Sequence, residues 1–444
     1  MIGSVTTVAG GPAPAAAGAP AKAEAVTLSA QAAPPSVVVT LSGLDQVASP
    51  ATYDLLPSIA PATSPVDDGV QTTARLTIKT ASGKSVVLGT QGEIQGGDAL
   101  DEAERSAVEK LAGALHEALD GLAAVPPTMD LDGLLAFDPK VLASVDFSAQ
   151  ASNGNEPPTT LAFHADAVSR SVRMNGTGGT IDIAIDTSSP AILGSAAQRA
   201  AALDHLMRQF DQAASRGHGD RALVAMFKDA FGQLAAIRDT PPGTVPMRSA
   251  LSPSEQAVLT GMPDFHASLV QAAGSPNPLR PGEKDGFSYE VSQETQVRGT
   301  DPLNRGVAQH LRAQLKASFH SSPTAGASLM LTLDPKSQNY LYTRIDDMAD
   351  SQADISYRKG RLVQASIVTS ASQSTEQSRY VMGKLVEQTV VPYEESATHD
   401  VLGLLKSIED DGSAPTRRRQ AEREQVLERV HADVGLESDP SRLA

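Results

Sequence analysis

The sequence predicts an α+β fold: antiparallel β meanders with packed helices, two of which form an αα-hairpin, plus a disordered N-terminal tail and a helical C-terminus. Three observations lead there. Runs of alternating apolar and polar residues recur between short turn-like breaks, the period of a half-buried strand. Apolar stripes at three- and four-residue spacing mark helices between them. No long series of βα units and no repeat of fixed period is present, which argues against a doubly wound nucleotide-binding fold. At 444 residues the chain exceeds the usual length of one domain. The expected division is a tail over 1–36, an α+β region over 37–237 with a hinge at 153–158, a connector with one bent helix over 238–286, an antiparallel β domain over 287–395 and a helical segment over 396–444.

Residues 1–36 hold 12 Ala, 5 Pro and 4 Gly, with Lys22 and Glu24 as their only charged side chains. Such a segment buries too little to offset its chain entropy and is expected to be disordered. It lacks the basic start and Leu-rich stretch of a secretory signal. A strand is expected at 37–41. The stretch LTIKTASGKSVVLG, residues 76–89, ends in the GKS of a phosphate-binding loop, but Ile78 stands where that loop needs its first glycine. Ala74, Leu76 and Ile78 alternate with Arg75, Thr77 and Lys79, so the segment predicts a β-hairpin turning at Ala81-Ser82-Gly83-Lys84.

Asp101-Glu102-Ala103-Glu104 matches a capping box and predicts a helix striped by Val108, Leu111, Leu115, Leu119 and Leu122, stopped by Val125-Pro126-Pro127. Residues 128–158 carry no clear period. From Thr159 the segments TTLAFHA, SVRM and TIDIAID predict a three-stranded meander, with Ile181, Ile183 and Ile185 on its core face. Two helices follow, striped by Ala196, Leu203, Leu206, Met207, Phe210 and Ala214, and by Leu223, Phe227, Ala230, Phe231, Leu234 and Ile237. The short link Arg216-Gly217-His218-Gly219 folds them into an αα-hairpin, which Pro241 and Pro242 close. Ser252-Pro253-Ser254-Glu255 is a second capping box; its helix is expected to reach Ala273, bent near Met262-Pro263. A linker follows at 274–286.

Strands are then expected around 287–297, 328–333, 338–346, 353–357, 362–369 and 380–391, with a tight turn at Lys359-Gly360 and the whole forming a half-barrel or sandwich. Residues 307–320 fit both periods, with strand favoured in their second half. Helices are expected at 401–408 and from 416 to about 434.

Composition narrows the function. With 36 basic and 52 acidic residues the formal charge is −16, which disfavours a general nucleic-acid binder and adhesion to anionic membranes. The absence of cysteine excludes thiol catalysis, Cys-ligated zinc and disulfides. No apolar run is long enough for a transmembrane helix.

Each cluster that could carry chemistry also has a plainer explanation. His116-Glu117-Ala118-Leu119-Asp120 is one residue short of a zinc-protease helix, yet His116, Glu117 and Asp120 lie off the Leu115/Leu119/Leu122 stripe and fit a solvated face. His164 with Asp166, and His218 with Asp220, fit surface or capping positions, Asp220 as an N-cap. Ser356 and Lys359 match S-x-x-K without its companion motifs. Asp130-Leu131-Asp132-Gly133 places its glycine too early for a calcium loop. Asp346, Asp347, Asp350 and Asp354 are expected around one charged inter-strand turn. Arg417-Arg418-Arg419 is flanked by Glu409, Asp410, Asp411, Glu422, Glu424 and Glu428, as in a mixed-charge helix able to dock a partner. No catalytic, cofactor-binding or metal-binding residue is assigned, and no cofactor is expected.

The small-residue leader, scarce aromatics and Ser/Thr/Gln-rich strands resemble exported bacterial surface-appendage and secretion substrates in composition, without a shared motif. The expectation is a non-enzymatic bacterial interaction or structural protein with a protein partner, either cytoplasmic or exported without a cleaved signal peptide. The alternatives are a soluble enzyme with dispersed active-site residues and a cytosolic scaffold or ligand-binding protein. A deep pocket with converging titratable groups favours the enzyme; an exposed apolar patch or open sheet edge favours the interaction protein.

Overall fold

The hairpin at the GKS stretch opens the described chain. A computed structural model describes residues 70–89, 94–123, 128–153, 157–237, 250–408 and 417–444. The expected tail at 1–36, the strand at 37–41, the stop at 125–127 and Pro241-Pro242 lie outside them. Strands β1 (Val70–Thr80) and β2 (Ser85–Gly89) pair antiparallel about Gly83, whose φ of 88° suits a residue without Cβ. Two-residue β3 (Ile94–Gln95) follows. Helix α1 (Glu102–Ala123) starts at the expected capping box: Asp101 accepts from Glu104 N–H at 2.8 Å, and Glu104 accepts from Asp101 N–H at 3.0 Å.

Residues 128–158, which carried no clear period, form short α2 (Asp132–Leu135) and a long strand, β4 (Leu142–Asn153). The expected meander is present as β5 (Thr159–Asp166), β6 (Ser169–Gly176) and β7 (Gly179–Asp186). β4 pairs antiparallel with β5; of the expected hinge at 153–158, residues 154–156 lie outside the described residues. The αα-hairpin is also present, as α3 (Ala196–Gly217) and α4 (Arg221–Ala235).

The connector corrects one expectation. Ser252 does cap a helix, but α5 (Pro253–Ala257) is a single turn, and a strand, β8 (Asp264–Gln271), replaces the rest of the expected bent helix. Gly261 at φ 76° and Pro263, which has no N–H, end the helical path. Phe265, Ala267 and Leu269 then alternate into the core, and β8 fills the sheet between β7 and β9 (Gly286–Arg298).

The remaining strands are longer than expected. Residues 307–320 lie wholly within β10 (Gly306–Ser321). Leu311, Leu315 and Phe319 share a strand face because a step of four is even, so a helical step can also be a strand step. Residues 328–333 form no strand; they lie in the β10–β11 connection, with Met330 and Leu333 exposed. The two strands expected at 338–346 and 353–357 are one strand, β11 (Tyr340–Arg358), so the four aspartates sit mid-strand and not at a turn. Lys359-Gly360 is the turn into β12 (Arg361–Val381), and Met382-Gly383 the turn into β13 (Lys384–Asp400). Residues 396–400, expected to be helical, complete β13. The helical end is α6 (Leu402–Ile408) and α7 (Arg417–Ala432).

Among the described residues all strands form one antiparallel 13-stranded sheet, ordered β13-β12-β11-β10-β9-β8-β7-β6-β5-β4-β1-β2-β3. Its end strands β13 and β3 do not pair with each other, so the sheet is not a closed barrel. Val291, Ala313, Ala349 and Ala371 stand in register across β9 to β12 on the covered face. That face carries two apolar clusters. One joins β1 to β11 with α1, α3 and α4, centred on Phe210, Phe227, Phe231 and Phe265; the other joins β10 to β12 with α6 and α7. Each fully buried large side chain contributes roughly 1.5–3 kcal/mol.

Candidate functional site

The sequence-level candidates resolve first. Lys84 Nζ lies 2.7 Å from Glu104 Oε2, and Ser82 Oγ donates to Glu104 Oε1 at 2.5 Å. The GKS turn is thus bound to the start of α1, with its lysine neutralised. Lys84, Ser82 and the Asp101 N–H hold the Glu104 carboxyl down at about 2. His116, Glu117 and Asp120 are exposed, and the His116 ring contacts the Ala112 carbonyl of its own helix. No His, Asp and Glu grouping able to hold a metal occurs among the described residues.

His164 meets Asp166 and also Asp146 of β4, a partner not visible in the sequence: Nδ1 lies 2.7 Å from Asp146 and Nε2 3.3 Å from Asp166. The Asp146 hydrogen bond raises the imidazole's pKa against burial. Burial opposes ionisation of Asp146 and Asp166, but His164 and, for Asp166, backbone N–H donors hold both below the usual carboxylate range. Asp220 caps α4 by accepting from Leu223 N–H at 2.9 Å, and His218, at the end of α3, stacks on Phe319. Of the four aspartates, Asp347 faces α3 and takes both forks of Arg216, while Asp350 faces away and pairs with His310 and Arg312. Lys359 occupies the turn at φ 50°. Arg418 pairs with Glu422 along α7.

Two clusters were not anticipated. The first is a groove of about 620 Å³ between α3, β9 to β12 and the last residues of the chain, lined by Arg216, Tyr289, Asp347, Gln373, Ser438 and Arg442 among others. Its polar groups largely satisfy one another. Arg216 also reaches Thr375 Oγ1 at 3.1 Å, Gln373 donates to the Ser438 carbonyl at 2.9 Å, and Ser438 Oγ donates to Gln209 at 2.6 Å. Burial pushes the Tyr289 hydroxyl up, and hydrogen bonds with Ser441 draw Asp439 down, both away from neutrality.

The second cluster binds the expected linker, 274–286, to the sheet. Asp285 Oδ1 lies 2.6 Å from His320 Nδ1, Tyr340 donates to Glu283 at 2.7 Å, and Arg280 stacks over the Tyr380 ring at 4.4 Å. The His320 side chain is 0% exposed, with Glu283 Oε2 3.4 Å from its Nε2. The charged run Arg280 to Asp285, set beside Tyr340 and Tyr380, was the sequence signal. It became legible only once Tyr340 stood opposite Tyr380 in register.

The sheet's ends differ sharply. β3 has two residues, whereas β13 has 17 and, among the described residues, one neighbouring strand. Leu385, Val386, Val390, Val391 and Tyr393 are exposed, Val391 to 59%. The ladder's phase follows from two facts: Val401 N–H donates to Ala365 O at 3.1 Å, and Pro392, opposite Ser374, has no N–H to give. Odd-numbered residues beyond Glu387 therefore bond to β12, and even-numbered residues from Gln388 to Thr398 turn their backbone groups to the free side. Among the described residues no helix is long and apolar enough to cross a membrane. Comparisons with protein-family models, curated proteins and solved structures find no match for this chain.

Proposed function

We propose that this chain is a non-enzymatic interaction protein whose docking element is the outer edge of β13. The observation that carries this reading is the 17-residue strand itself, with one side unpaired among the described residues and a row of exposed apolar side chains. Folded proteins ordinarily shorten, cover or charge such an edge, because unpaired N–H and C=O groups template a further strand. An extended segment added there gains main-chain hydrogen bonds along its length and apolar contacts with alternate side chains. The groove favours this reading over an enzyme, because its charged groups are engaged with one another.

A photo-cross-linking residue placed at Thr389 in the protein's own organism, with the same residue at exposed Val168 as control, tests the proposal. The expected result is a discrete adduct at 389, absent at 168 and lost on Val390→Pro, which removes an outward N–H without touching the β12 ladder. An adduct that survives Val390→Pro, or equal labelling at both sites, overturns it.

A further inference from the structure

We infer that the segment received by β13 runs antiparallel to it and carries two adjacent basic residues followed, three and four positions later, by a pair of β-branched apolar residues. The inference rests on β13 being the docking edge and adds the chemistry of what docks.

Polarity comes first. Every strand pair in the described sheet is antiparallel, and β13 presents on its free side the same alternating pairs of N–H and C=O that β12 presents to β13. An added antiparallel strand finds both members of each pair except at Pro392, which has no N–H.

Charge comes second. Elsewhere on the β12–β13 hairpin glutamates meet arginines: Glu376 lies 2.5 Å from Arg344, and Glu387 3.9 Å from Arg379. Glu394 and Glu395 are different. Opposite them on β12 stand Ser372 and Ala371, and neither glutamate has an ion-pair partner among the described residues. They point to opposite faces, Glu395 to the face of Ala371 and Glu394 away from it. A cation on each of two successive partner residues would neutralise both. Val391 and Val390 repeat the arrangement four residues earlier, one on each face and both exposed.

Counted antiparallel from Glu395, the partner's first and second residues oppose Glu395 and Glu394, and its fifth and sixth oppose Val391 and Val390. The pattern from N- to C-terminus is basic, basic, any, any, apolar, apolar. The fourth residue lies opposite Pro392, so its carbonyl receives no N–H from β13, and a register shifted by two residues moves that loss and breaks both matches.

A second copy of the chain fits poorly. Each copy carries a formal charge of −16, and the two-fold register that sets Lys384 opposite Glu394 also sets Val391 opposite Glu387 and Val386 opposite Pro392.

The test uses the full chain and three synthetic eight-residue peptides: KRTSVVTT, its reversal TTVVSTRK and the charge-inverted EETSVVTT. Amide exchange and chemical shifts of β13 are followed by NMR at low and high salt. The inference expects KRTSVVTT to protect the amides of Gln388, Val390 and Glu394, to bind at least tenfold more tightly than the other two, to weaken with salt, and to lose that advantage in Glu394→Lys/Glu395→Lys, where Glu394 is exposed, Glu395 is half-buried and neither belongs to the apolar clusters. Equal protection of the same amides by the reversed or acidic peptide overturns the assigned chemistry while leaving β13 as a docking edge. No protection by any peptide overturns the inference too, and the cross-link at 389 then decides whether the docking edge itself survives.

Discussion

Asp264 and Asp186 stand directly opposite each other on β8 and β7, an arrangement that a sheet rarely places under cover. Asp264 accepts from the N–H and hydroxyl of Thr295 at 2.9 and 2.7 Å, yet burial, with Asp186 adding its charge, pushes its carboxyl up to about 6. The protonated form is therefore the one the fold prefers. Its stabilising contribution is fully present below the unfolded value near 3.8 and is lost as pH rises through about 6. The shift corresponds to roughly 2–3 kcal/mol. Asp264→Asn, a mimic of the neutral acid, is expected to raise stability at pH 7.5 by an amount of that order and to change little at pH 4. Denaturant titrations at the two pH values measure it, and a pH-independent difference contradicts the assignment. None of this was legible from residues 252–273 while they fitted a helix, because opposition across strands is a property of register and not of spacing along the chain.

At the scale of elements, the hairpin of β1 and β2 is tied to the start of α1 through one carboxylate, Glu104, which serves both the capping box and the turn. Its pKa is held at about 2, so the stabilisation is complete above the unfolded value near 4.5 and disappears as pH falls towards 2. Glu104→Gln is expected to flatten the acid limb of the stability profile between pH 4.5 and 2 and to speed amide exchange in the 81–84 turn. An unchanged acid limb excludes Glu104 as the tie. The hairpin, capping box, meander and αα-hairpin were legible because each is a local pattern of period and punctuation. The strands β4, β8 and the full lengths of β10 to β13 were not. β11 in particular turns Thr343, Asp347 and Ser351 to its covered side, where Gln377 of β12, Arg216 of α3 and the Val434 carbonyl supply polar partners, so its apolar alternation is erased.

At the scale of the molecule, the two apolar clusters share β10 and β11, whose backbones run through both. Destabilising one therefore strains the strands that build the other. Phe231→Ala in the first cluster and Leu405→Ala in the second remove fully buried side chains and are each expected to cost about 2–5 kcal/mol. Both are expected to lower a single unfolding transition, seen at the same midpoint by far-UV circular dichroism and by tyrosine fluorescence. Two separated transitions, each moved by one variant only, contradict this coupling. The docking edge is likewise a whole-molecule property. Residues 380–391 carried the strand pattern, but nothing in a strand's own sequence says which strand comes last, and Pro392 was the only local hint.

Sheet order and chain order coincide from β4 to β13: each strand from β5 on lies beside the one made just before it. During synthesis the sheet can thus be laid down like courses of brick, every new strand meeting a template already in place. In that light the free side of β13 is the unfinished course. A docking segment does there what nine strands of the same chain did before it.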